Sequence, residues 1–128
     1  MVRNNIDPEI KKLTQELIFK GTNYNLDYLD KVYNDDLKFV RIDKENQIEV
    51  LTKQDNMNFF SYLKKSGAKP LNDSVQFHYA DNDGKNGFII LSRTMKQQER
   101  EQEFLFNINW KRIKNNWQII RETVIITN

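Results

Sequence analysis

The chain of 128 residues has no cysteine, one histidine, two prolines and four glycines. Without cysteine there is no disulfide, no thiolate metal site and no thiol nucleophile, and the composition suits a reducing compartment. No stretch of ~18 apolar residues occurs, and Met-Val-Arg-Asn-Asn-Ile at the start lacks the apolar run of a signal peptide. The expectation is a cytoplasmic protein with no membrane partner. Charge of one sign is also scarce: twenty Lys and Arg against eighteen Asp and Glu leave +2. The pI of about 8.8 therefore reflects a small excess rather than a basic face, and nucleic acid is not an expected partner.

Other absences narrow the chemistry. There is no His-x-x-x-His pair, no Gly-rich phosphate loop and no serine elbow, so metal hydrolysis, nucleotide binding and hydrolase chemistry have no support. "DNDGKNG" begins like a calcium loop, but Gly84 comes too early and no acid follows at the twelfth position. It reads as a turn, and neither metal nor cofactor is expected. "WKRIK" near Trp117 reads as a solvated hairpin edge rather than an RNA platform.

What remains is a foldable pattern. Mean hydropathy is -0.77, yet 12% of residues are aromatic, so the low mean comes from abundant Asn, Gln, Lys and Glu on the surface of a folded chain. The length suits one domain spanning residues 1–128. "DPEIKKLTQELIFKGT" reads as a helix: Asp7 as N-cap, Pro8 at the first helical position, Gly21 beyond the end, and Ile10, Leu13, Leu17 and Ile18 as one apolar stripe. "YNLDYLDKVYND" predicts a second helix closed by Asp35 and Asp36. "TKQDNMNFFSYLKKSG" predicts a third, with Thr52 as N-cap and Gly67 as its stop. Between the second and third lie the hairpin strands "LKFVRI" and "IEVL". After Pro70 the period becomes two, through "SVQFHYA", "GFIILSRTMK", "EFLFNINWKRI" and "WQIIRETVII", joined by the turns "DNDGKN", "QQERE" and "KNN". The expected class is α+β: a curved antiparallel sheet of about six strands wrapped around three helices, in the order ααββαββββ.

That order, with "LDKVYNDDLKFV" leading into the first strand and "NNWQIIRETV" at the last hairpin, resembles the nuclear transport factor 2-like superfamily of cystatin-like folds, especially its SnoaL-like bacterial members. The resemblance implies a cone of sheet and helices with a pocket at its open end. It does not imply one function, because members include ketosteroid isomerases, polyketide cyclases, dehydratases and binding proteins. The place of the isomerase base, counted from Tyr33, falls at Arg41, with Asp43 two residues later. The oxyanion-hole tyrosine falls at Leu17, and its aspartate near Asn109. With base and tyrosine missing, ketosteroid isomerase chemistry is rejected and the catalytic residues are left unassigned.

The ligand-binding candidates are Arg41, His78 and Asn109, on which the strands themselves bear, and Asp43, which the resemblance adds as an alternative base to His78. Arg41 shares a strand side with Leu37 and Phe39. If that side faces the helices, its guanidinium needs a carboxylate or an anionic ligand; otherwise Val40 and Ile42 face the core and Arg41 is solvated. His78 is the only side chain that titrates near neutrality without perturbation, the natural base if it shares a pocket with Arg41. Asn107 and Asn109 lie on the face opposite Phe106, Ile108 and Trp110, and a one-residue slip exchanges the two faces.

Two readings follow. One is a pocketed domain for a small hydrophobic or weakly anionic molecule, whose enzyme form would transfer protons or add and remove water. The other is a non-catalytic structural or interaction homodimer with a filled cone. Phe88 to Leu91, Ile119 and Ile120, and Val124 to Ile126 are apolar on both sides of their strands. Both sheet faces are therefore expected to be covered, one by helices and the other by a second copy. Trp117 is expected to lie in the core.

Overall fold

Asp7 sets the first helix as its sequence predicts. In the computed structural model, which describes residues 5–71, 74–97 and 100–127, its carboxylate accepts the Ile10 N–H at 2.9 Å and opens α1 (Pro8–Thr22). Gly21 lies inside that helix, and the left-handed position after it falls to Tyr24 (φ 57°). The Tyr24 hydroxyl donates to the Lys69 carbonyl at 2.6 Å, a tertiary bond that holds a conformation glycine would adopt more readily. Asn25 caps α2 (Leu26–Val32). A reciprocal pair of bonds between Thr52 and Asp55 opens α3 (Lys53–Lys65).

The strands are β1 (Tyr33–Ile42), β2 (Ile48–Thr52), β3 (Gln76–Asn82), β4 (Asn86–Gln97), β5 (Arg100–Ile113) and β6 (Asn116–Ile126). Tyr33 to Asp36, expected to close α2, already belong to β1, whose pairing with β6 outweighs their helical pattern. The sheet order is β2-β1-β6-β5-β4-β3. The last four strands form the expected meander, while β1 lies parallel to β6. The sheet is thus mixed and open, and no described helix is long and apolar enough to cross a membrane. The expected "QQERE" turn falls in part on 98–99, and the signal-peptide reading in part on 1–4, outside the described residues.

Two β-bulges decide which side chains face the helices. On β6, Ile119 pairs with Trp110 but Arg121 pairs with Asn109, so Ile120 is an extra residue. The inward phase passes from Ile119 to Glu122, Val124 and Ile126. On β3, Phe77 pairs with Leu91 and Tyr79 with Ile90, leaving His78 as the extra residue before Ala80 returns to the core.

The helices pack on the inward face through Ile10, Leu17, Leu29 and Val32 against Ile89, Leu91, Phe106, Ile108 and Trp110. Gly87 allows α1 this close. A Cβ there would run into the Ile10 side chain and stand 3.4 Å from Trp110 Cβ. Of the two tryptophans, Trp110 is the core residue. Trp117, expected in the core, is half-buried at the β5–β6 turn, with the Arg112 guanidinium 5.0 Å from its ring centroid. Trp117 shares the inward phase of Ile119 but lies one pair from the β5–β6 turn, so it packs only on the edge of the core that Trp110 fills.

Candidate functional site

Between α1, α3 and the inward face of β1, β4, β5 and β6 lies a cavity of about 210 Å³, room for roughly seven waters at ~30 Å³ each. Most of its wall is apolar, from Leu17 and Ile18 on α1, Phe59 and Phe60 on α3, and Phe104 and Phe106 on β5. Six polar side chains interrupt that wall: Thr22, Tyr33, Arg41, Asn56, Arg93 and Glu122.

Glu122 is the most consequential of them. It follows the β6 bulge, is only 6% exposed, and has one carboxyl oxygen, Oε1, with no hydrogen-bond partner among the described residues. Burial pushes its pKa up to about 7, and Arg93 opposes that rise. Arg93 sits on β4 in phase with Ile89 and Leu91, and it too lines the cavity. Tyr33, buried at the start of β1, has its phenol pushed well above the ordinary value by burial and then by the Glu122 and Tyr28 charges. From α3, Asn56 turns its amide to the same space. It is 8% exposed, and its Nδ2 has no partner among the described residues.

Arg41 is the sequence candidate that reaches this cavity. The inward phase of β1 runs through Leu37, Phe39 and Arg41, so the guanidinium lines the wall, and among the described residues no carboxylate forms an ion pair with it. The other three candidates lie elsewhere. Asp43 is spent on the β1–β2 turn, accepting the backbone N–H of Glu45 at 2.9 Å and of Gln47 at 3.0 Å. His78, displaced by the β3 bulge, hydrogen-bonds Ser92 Oγ at 2.6 Å. Ser92 lies between two cavity-lining residues and therefore on the outer face, so His78 and Arg41 do not share a cavity. Asn109 is also outward, between Ile108 and Trp110, with its Nδ2 3.5 Å from Asn107 Oδ1.

Sequence reasoning missed Glu122, Arg93, Tyr33 and Asn56. For the first two a signal was present: Glu122 alternates with Val124 and Ile126, and Arg93 with Leu91 and Ile89, each a charge on an apolar phase. Tyr33 falls inside the second predicted helix and Asn56 inside the third, and nothing local marks either as a lining residue.

A buried carboxyl that titrates near neutrality, with a phenol nearby and an amide donor in the same wall, can hold or exchange a proton with a bound molecule. It can also discriminate hydrogen-bond donors from acceptors, because the mostly apolar wall makes an unpaired polar group costly there.

No protein-family model and no curated protein matches the chain by sequence. Solved structures match it by shape. An NTF2-like protein from Cytophaga hutchinsonii superposes with a TM-score of 0.71 at 19% identity, covering 94% of this chain and 99% of its own. An NTF2-like protein of unknown function from Silicibacter pomeroyi gives 0.71 at 10% identity, with 91% and 92% covered. A putative calcium/calmodulin-dependent protein kinase II association domain from Xanthomonas campestris gives 0.64 at 11% identity, with 98% and 96% covered. Similarity at these identities speaks for architecture alone, and with the mixed, open sheet and its three helices it establishes that the chain has the nuclear transport factor 2-like fold.

Proposed function

We propose that the domain binds one small molecule, hydrophobic in body and weakly anionic, in the cavity between α1, α3 and the sheet. One observation carries this reading: an apolar cavity of about 210 Å³ into which the sheet turns the arginine of β1, Arg41, with no carboxylate paired to it among the described residues. A filled cone would have left no such space, and a surface arginine would not line it. The enzyme form of this reading is an isomerase, cyclase or dehydratase of the SnoaL-like kind, with Glu122 as the group that exchanges the proton. Native mass spectrometry of the purified protein tests the binding. The expected result is a carried-over mass, or one added from a panel of small aromatic and aliphatic acids, that is reduced at least about tenfold in occupancy by Arg41→Ala. Equal occupancy in the variant would remove Arg41 from the site, and no bound mass under any condition would remove the site.

We also propose that two copies pair through the outer face of the sheet. Cross-strand registers align Ile48, Ile42, Ile125 and Leu105 in one row, and Val50 with Val40 in the next. Ile48 is 67% and Val50 59% exposed in the single chain, and a self-complementary apolar face is what a two-fold dimer covers. The Xanthomonas neighbour, whose description is that of an association domain, supports this choice of partner. Light scattering after size exclusion is expected to give twice the 15.4 kDa of one chain. Lys at Val50 should halve it, and a natural chain that stays at the single mass across micromolar concentrations would sink the proposal. Val124 does not serve for this test, because it lines the cavity. We place the domain in the cytoplasm on its lack of cysteine.

A further inference from the structure

The polar inventory of the cavity is unbalanced. Arg41, Arg93, Asn56 and Tyr33 bring N–H or O–H donors to it, whereas Glu122 is its one ionisable acceptor. Two buried polar atoms on different walls, Glu122 Oε1 on β6 and Asn56 Nδ2 on α3, have no partner among the described residues. Leaving such atoms unpaired is costly, so each calls for a group brought by something else. Asn56 Nδ2 donates and therefore requires an acceptor. Glu122 Oε1 can take a donor when ionised, or donate when it carries the proton.

Resting on the pocket reading above, we infer that the cavity takes a small monocarboxylate, whose oxygens accept from Asn56 and Arg41 and from a protonated Glu122, so that binding takes up one proton. The ligand class follows from the charges. With Glu122 ionised the lining carries one carboxylate beside Arg41, which has no ion pair among the described residues; with Glu122 protonated it carries no carboxylate at all. Either state favours an anion, and the second favours it more. Two carboxylates in one small cavity repel each other, and a proton shared between them turns that repulsion into a short charge-assisted hydrogen bond.

The groups that face Glu122 have been taken from every wall. β4 brings Arg93, β1 brings Arg41 and Tyr33, and α2 brings Tyr28 behind Tyr33. The lining residues of α1 and β5 carry no charge, and α3 brings the neutral Asn56. None of them is a second carboxylate that would take the proton instead. The free carboxyl titrates at about 7, and a bound carboxylate holds it protonated above that value. Affinity is therefore level below neutrality, where the proton is already present, and falls about tenfold per pH unit above it, where the proton must be taken from solvent.

Isothermal titration of the full chain with benzoate and hexanoate, against benzamide and hexanamide, tests this from about pH 5.5 to 8.5 in two buffers of different ionisation enthalpy. The expected result is a preference for the acids, with proton uptake rising from near zero at the acid end to nearly one at the alkaline end. Glu122→Gln should abolish both the uptake and the slope and bind the acids more tightly than the natural chain at the alkaline end. The acid-over-amide preference and the buffer-dependent uptake are read on the natural chain, so they stand even if the variant fails to fold. Amides binding as well as acids, acids binding without uptake, or a slope that survives Glu122→Gln would each overturn the inference while leaving the pocket in place. If neither acids nor amides bind, the pocket reading falls and the inference with it.

Discussion

Trp110→Ala is expected to lower the stability of the domain by about 4 kcal/mol, within the usual range for truncating a large aromatic in a core. Trp110 is 1% exposed and fills the place where Gly87 lets α1 come down on the sheet. Its indole N–H also donates to Thr14 Oγ1 at 3.2 Å, and Thr14 in turn donates to the Ile10 carbonyl at 2.8 Å. The substitution therefore opens a void and removes one bond of a buried chain, two effects of the same sign. Trp117→Ala should cost much less, about 1–2 kcal/mol, because that ring is half-buried at the edge of the core, under the exposed head of Arg112. Urea denaturation of both variants gives the comparison. A smaller loss at Trp110 than at Trp117 would mean that the β5–β6 register is wrong.

The two tryptophans also show where the sequence stops being legible. Helix starts were readable because their signals are local: Asp7 and Pro8 at α1, and Thr52 with Asp55 at α3, act within one turn of the residues that declare them. The strands were readable from alternation, and the class and order of elements followed. What could not be read was the phase. An extra residue at Ile120 moves the inward side of β6 onto Glu122, and one at His78 moves that histidine to the outer face. A bulge is stabilised by pairing with a neighbouring strand and by the curvature it allows, neither of which is written in the six or seven residues around it. For Arg41 the sequence left both phases open, and its place on the cavity wall follows the alternation of β1, which is unbroken between Leu37 and Arg41. Asp43 and Asn109 were reached by counting from a family pattern, and that counting carried no information about their hydrogen bonds. The parallel pairing of β1 with β6 was invisible for a similar reason, since it depends on α3 carrying the chain to the far edge of the sheet.

Glu122→Gln is expected to remove a pH dependence of stability worth about 3 kcal/mol between about pH 5 and 8.5. The carboxyl titrates at about 7 in the folded chain against 4.5 for the exposed group. The folded state thus holds this proton more tightly than the unfolded state. That preference stabilises the fold fully below the exposed value and is lost as pH rises through 7, at ~1.4 kcal/mol per pH unit. Glutamine keeps the shape, stays neutral throughout, and leaves the other titrating groups in place, so the difference between variant and natural chain isolates this one site. The two should be about equally stable at the acid end, with the variant ahead by about 3 kcal/mol at the alkaline end. Parallel stability curves, followed by thermal melts and by urea midpoints, would show that Glu122 reaches water and that the cavity is wetter than its walls suggest. The stability lost on ionisation arises in the place where a ligand would sit, since Oε1 has no other partner among the described residues. A carboxylate that binds with uptake of a proton should therefore raise the melting temperature most below neutrality, and its effect should shrink as pH rises through 7, where that proton must be taken from solvent.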